Sequence, residues 1–95
     1  MAVRLVVTFK AQKGKGADFA KAFAPVIKDV VAKDKGCEQY ELFRSQDDPD
    51  KLVLLERWTT AALLDAHTAA MRARGPSPTA AFRDGNAVLE RFEVS

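Results

Sequence analysis

Residues 37–58 read CEQYELFRSQDDPDKLVLLERW. Two extended runs flank a turn in this stretch, and the topology of the chain grows from it. In Cys37–Ser45, Tyr40, Leu42 and Arg44 fall on one side of an extended chain, with Gln39, Glu41 and Phe43 on the other. The loop QDDPD, Gln46–Asp50, is dense in turn formers: Asp side chains bond their own backbone and Pro49 presets φ. Lys51–Trp58 is apolar on both faces, with Leu52, Leu54 and Trp58 on one and Val53 and Leu55 on the other. Together the two runs predict a β-hairpin.

Upstream, Ala2–Lys10 (AVRLVVTFK) alternates as a strand, with Val3, Leu5, Val7 and Phe9 opposite Arg4, Val6 and Thr8. Gly14 and Gly16 break it. From Ala17 the period becomes helical through Phe19, Phe23, Val26, Ile27, Val30 and Val31. Pro25 removes one backbone bond and predicts a kink near the middle, and Gly36 stops the helix behind a lysine-rich last turn. Downstream, Thr59 or Thr60 caps a helix running to about Arg74, which Gly75 ends. Ser77 and Pro78 predict the start of a short helix, TAAFRD, and AVLERFEV is a last strand.

The order strand–helix–strand–strand–helix–strand makes two split βαβ units, the α+β ferredoxin-like sandwich, with four antiparallel strands carrying both helices on one face. The other face is too apolar at Val6, Val53 and Leu55 for a sheet wetted on that side. The expectation is therefore a homodimer, two sheets packed face to face as a dimeric α+β barrel with two-fold symmetry.

The 95 residues suit one domain, residues 1–95. A chain this short buries only about two-thirds of its surface, which also favours partnering. Hydrophobic content of 47% and charged content of 29% mark a globular chain. A net charge of +2, with lysines and arginines interspersed among acids, argues against nucleic acid as a partner, and the run Lys10–Lys15 reads as a solvated loop. The single cysteine, Cys37, forms no internal disulfide and reads as a buried or edge thiol. One His and one Cys build no usual zinc site, and no GxGxxG or GxxxxGK[ST] is present. An enzyme of this sequence is expected to work with no tightly bound organic cofactor. No signal peptide and no membrane-spanning run are seen, so the expected location is cytoplasmic, with no membrane partner.

The chemistry-bearing residues cluster from Glu56 to His67. Glu56 and Trp58 project from one face of their strand. Leu64 and Leu63 precede His67 by three and four residues, so His67 lies on the apolar stripe of its helix, with Met71 one turn further. If the Trp58 face looks toward the helices, Glu56, Trp58 and His67 share one layer as a carboxylate, an aromatic floor and an imidazole. Tyr40 joins them if the hairpin register turns it the same way. Spacing alone equally accommodates structural roles: a His satisfied by a backbone carbonyl or by Glu56, a Trp packed in the core, and a Glu paired with Arg57, Arg44 or Arg91. Under either reading a buried carboxylate is costly unless paired.

The segment GCEQYELFRSQDDPDKLVLLERWTTAALLDAH, Gly36–His67, resembles the antibiotic biosynthesis monooxygenase domain. The resemblance is carried by Gly36-Cys37 opening a strand, Tyr40-Glu41-Leu42 within it, Asp48 and Pro49 in an acidic loop, and Glu56, Trp58 and His67 beyond. It implies a dimeric α+β barrel. Members include cofactor-independent oxygenases of phenols and quinols, haem degraders, an isomerase of a phosphorylated signalling sugar, and proteins with no known activity. The small quinol-monooxygenase branch looks nearest. It implies a monooxygenase, an oxidoreductase using O₂ on a small aromatic phenol or quinol, with no flavin or metal. The substrate would lie against Trp58, with Tyr40, Leu63 and Met71 as further binding residues. His67 would take a proton or hold the phenolate, and Glu56 would orient or tune His67. Three alternatives stand beside this one. The first is a non-catalytic dimeric ligand-binding or stress-associated protein. The second is an isomerase whose phosphate site draws on Arg44, Arg57, Arg72 and Arg74. The third is a haem degrader, although that branch uses an Asn near the first strand, where this chain has Val6, Val7 and Thr8.

Overall fold

The structure, a computed structural model, describes residues 1–94. The chain runs β1 (Ala2–Lys10), α1 (Gly16–Lys33), β2 (Cys37–Arg44), β3 (Lys51–Trp58), α2 (Ala61–Ala73), a 3₁₀ turn at Ala80–Phe82 and β4 (Val88–Val94). All four strands are antiparallel, in the order β2-β3-β1-β4. The hairpin holds β2 beside β3, and each crossover helix returns the chain to the sheet, which places β1 between β3 and β4 as in the ferredoxin-like fold. No helix is long and apolar enough to cross a membrane among the described residues.

Alternation in β1 translates directly into burial: Val3, Leu5, Val7 and Phe9 are buried, and the residues between them are half-buried. The register sets Val3 beside Trp58, Leu5 beside Glu56, Val7 beside Leu54 and Phe9 beside Leu52, so these residues share the face that the helices cover. α1 contributes Phe19, Phe23, Val26 and Val30 to that layer, and α2 contributes Leu64 and His67. The rings of Phe9, Phe19 and Phe23 stand 5.1–6.2 Å apart, centre to centre. Aromatic pairs at such spacings add about 0.5–1.5 kcal/mol beyond their burial.

The hairpin loop also caps α1. Lys15 at the N-cap offers no side-chain bond. Asp50 instead accepts from the backbone N–H of Gly14 and of Gly16, each at 2.9 Å, and these bonds hold its carboxyl below the usual range. Gly16 is required by the close approach, because a Cβ there would lie 1.8 Å from the Pro49 carbonyl oxygen. α1 passes through Pro25 as one helix, with the ring exposed.

Two expectations are corrected. The helix expected over TAAFRD shortens to the 3₁₀ turn Ala80–Phe82. Arg83 bridges Ala11, and the Asp84 N–H donates to the Lys10 carbonyl at 2.7 Å, so pairing with the end of β1 draws the chain out before a helix can propagate. The larger correction concerns the dimeric α+β barrel. The sheet is open, with β2 and β4 as unjoined edges. The four strands do not curl to meet one another, and no edge is joined to a second sheet among the described residues. β4 is exposed along almost its whole length, leaving Val88, Leu89 and Phe92 in solvent. The helix-free face is also more polar than its valines and leucines suggest, because Arg4 reaches across it to Gln39 (2.6 Å) and Arg57 holds Glu38 (3.0 Å).

Candidate active site

Local structure brings distant residues to one point. The Thr60 hydroxyl accepts from the Leu63 N–H at 3.2 Å and starts α2 immediately after β3. The turn between α1 and β2 packs on that first helical turn: the Thr59 N–H donates to the Gly36 carbonyl at 2.9 Å. Gly36 has φ +84°, and a Cβ there would stand 2.5 Å from Leu63 Cδ1. A glycine is needed for both reasons. The same turn carries Asp34 to His67.

Trp58, Glu56, Tyr40 and His67 are all buried, at 0%, 3%, 4% and 7% exposure. The register pairs Tyr40 with Glu56, so the hairpin does turn Tyr40 toward the helices. Trp58 Nε1 donates to Glu56 Oε1 at 3.0 Å. The His67 ring lies 4.5 Å from the Trp58 ring, inclined at 34°, and 5.4 Å from the Tyr40 ring, nearly edge-on at 71°. His67 Nδ1 is hydrogen-bonded to Asp34 Oδ2, and its Nε2 stands 3.9 Å from Glu56 Oε1. A carboxylate only accepts, so Nδ1 carries a proton and the second ring nitrogen, Nε2, is the one turned toward Glu56. Burial raises the Glu56 carboxyl above its ordinary range, against the opposing effects of the Trp58 bond and the nearby His67. Burial, reinforced by the charge of Glu56, likewise keeps Tyr40 protonated.

Two hollows meet at His67. The inner one, about 210 Å³, has apolar walls from Leu5, Val7, Leu54, Phe23 and Met71, with Tyr40, Glu56 and His67 reaching it. A hollow of about 150 Å³ suffices for benzene, so this one admits a substituted aromatic ring. The outer one, about 180 Å³, is a cleft between the C-terminal end of α1 and α2, lined by Asp34, Trp58, Leu63 and His67 beside Lys33 and Lys35. Of the residues expected to touch a ligand, Tyr40 and Met71 line the inner cavity, while Leu63 and Trp58 line the outer cleft. His67 lines both.

Asp34 escaped the sequence reading. No periodicity relates it to a histidine 33 residues away, and it looked like part of a lysine-rich helix end. Its only local mark is a position just before the Gly36 turn. Arg57 and Arg91, considered as partners of Glu56, instead pair with Glu38 and Asp65 at 3.0 Å each, and Trp58 is the partner. Cys37 is half-buried, and its thiol is pushed up by burial and by the charges of Glu56 and Asp34, which disfavours a reactive thiolate.

Residues 2–85 match the family described as antibiotic biosynthesis monooxygenase. No curated protein matches the sequence. Among solved structures, a Caulobacter crescentus protein named for the same family is 29% identical. Its TM-score is 0.78, over 99% of this chain and 90% of the other. A Shewanella oneidensis protein is 25% identical with a TM-score of 0.81, covering 96% of this chain and 88% of that one. A conserved Methanosarcina mazei protein at 20% identity shares the fold, with a TM-score of 0.83 over 100% and 94% of the two chains.

Proposed function

The chain belongs to the antibiotic biosynthesis monooxygenase family, and from that premise we propose that it oxidises a small phenolic or quinol-type substrate with O₂. The observation that carries this reading is the ring-sized apolar cavity that Tyr40, Glu56 and His67 reach. In such a site His67 Nε2 removes the phenolic proton, and the resulting phenolate is electron-rich enough to reduce O₂. The electrons balance within the substrate: a quinol and O₂ give a hydroxyquinone and water, one oxygen atom entering the ring and the other leaving as water. Asp34 is a positioning residue that fixes the His67 tautomer and stabilises the imidazolium from the side away from the cavity. Trp58 packs on the imidazole and anchors Glu56, which faces Nε2. Tyr40, protonated, donates to a substrate oxygen. The cavity suits one substituted ring, which favours a small phenol over haem.

Oxygen uptake with a panel of anaerobically reduced quinols tests the reading. His67→Ala should slow uptake by roughly 10²- to 10⁴-fold, the usual contribution of a general base. Equal rates in the variant would sink the proposal, and saturable binding of quinols with no uptake would point to a ligand-binding protein instead.

A further inference from the structure

We propose that Arg83 is an anion-recognition residue at the entrance of the inner cavity, and that the aromatic substrate carries a carboxylate or similar anionic substituent. The proposal rests on reading that cavity as the substrate site, but not on turnover there.

Arg83 Nε is buried with no hydrogen-bond partner. Arg83 as a whole is half-buried, but an Nε–H left unsatisfied out of water is costly and favours an acceptor beside it. Three other arginines have a carboxylate: Arg57 pairs with Glu38, Arg74 with Asp29 and Arg91 with Asp65. Arg83 is in no such pair among the described residues. Its guanidinium stands 5.6 Å from the centre of the Phe9 ring, itself a wall of the cavity. The backbone is pinned as well, through the Ala11 bridge, the bond from Asp84 N–H to the Lys10 carbonyl, and Gln12 Nε2 donating to the Arg83 carbonyl at 3.3 Å. The root of the side chain is therefore fixed before any ligand arrives, and the guanidinium rests over Phe9.

The approach to it carries the same sign of charge. A larger hollow, about 470 Å³, shares Thr68, Met71, Ser77, Arg83 and Leu89 with the inner cavity and opens beside Gly75–Pro78. Its charged lining is Arg72, Arg74 and Arg83, with no acid. Asp29 neutralises Arg74 at 2.6 Å, leaving Arg72 and Arg83 to attract an anion. A guanidinium fork matches a carboxylate in two parallel hydrogen bonds. Phe9 lies under Arg83 and Leu5 beside Glu56. Four residues of strand separate them, roughly 13 Å. A molecule touching both ends thus carries its anionic group away from its reactive hydroxyl.

The test is anaerobic calorimetry with 2,5-dihydroxyphenylacetate and its neutral methyl ester. The wild-type protein should bind the acid roughly tenfold or more tightly than the ester, the scale of one charge-assisted hydrogen bond. Arg83→Gln should abolish that preference. Arg72→Gln and added salt should weaken it, and both tests remain available if Arg83→Gln does not fold. The proposal is overturned if wild type binds neither compound or binds both equally, if the preference survives in folded Arg83→Gln, or if it is indifferent to Arg72→Gln and salt together. Binding with this preference but without oxygen uptake would remove the oxygenase reading and leave the anion site. Uptake with indifference to the ester would do the reverse.

Discussion

Asp34 and His67 form the contact on which the candidate site turns. Replacing Asp34 by Ala leaves His67, 7% exposed, with a buried Nδ1–H and no acceptor. A hydrogen bond to a charged group contributes about 1.5–3 kcal/mol, and an orphaned buried donor costs the same order. A loss near 2 kcal/mol lowers the melting temperature of a domain of this size by roughly 8–16 °C. The measurement is a double-mutant cycle of Asp34→Ala and His67→Ala in urea, which isolates the pair from burial changes common to both. The coupling should reach about 1.5 kcal/mol or more. Oxygen uptake should be non-additive too: Asp34→Ala should slow wild type by roughly 10²-fold or more, yet change nothing further in the His67→Ala background, because Asp34 acts only through the imidazole. Additive stabilities, with coupling below about 0.5 kcal/mol, would refute the positioning role, as would a second rate loss in the double variant.

Three further outcomes are expected. Glu56 has a raised folded pKa, so the native state keeps its proton to higher pH than the unfolded chain. Stability therefore falls as pH rises from its ordinary 4.5 through the folded value. Glu56→Gln preserves an acceptor for Trp58 Nε1 and should gain on wild type between acid and neutral pH in urea titrations, a gain that a surface carboxylate would not give. Gly36→Ala meets both a left-handed φ and Leu63 Cδ1 at 2.5 Å, so it should destabilise by about 1–3 kcal/mol. It should also lower oxygen uptake through displacement of Asp34, and an unchanged melting curve would count against the packing described. Thr60→Ala removes the N-cap of α2 and should cost about 1 kcal/mol, measured by thermal melting, with His67 kept in place by the Leu64 anchor.

Much of the fold was legible because its signals are local. Val3, Leu5, Val7 and Phe9 alternate, and they are buried where the alternation placed them. The face of Tyr40 was not legible, because it depends on the hairpin register, which runs unbroken from Arg44 beside Leu52 to Tyr40 beside Glu56 and is set by the geometry of the loop rather than by any period. The barrel expectation failed for a related reason. Apolar residues on the second face of a sheet reveal that the face is not purely polar, but pattern says nothing of how arginines fold across it or whether edges join. At the site, strand and helix periods correctly aimed Glu56, Trp58 and His67 into one layer. Which of them meets which cavity depended on side-chain positions, and Leu63 and Trp58 proved to face the outer cleft.

By itself, the sequence determined the order of elements, the hairpin, the buried stripe of each helix and the family resemblance, all of which follow from spacings of two to four residues and from a motif within one stretch. Only the tertiary structure decided that Asp34 holds His67, that Trp58 holds Glu56, and that Arg83 stands unpaired over Phe9. Asp34 with His67 and Arg83 with Phe9 join parts of the chain that share no period, and they meet because the turn after α1, α2 and the segment before β4 dock on one sheet; Glu56 and Trp58 share a strand face, but their bond depends on side-chain rotamers that no period sets.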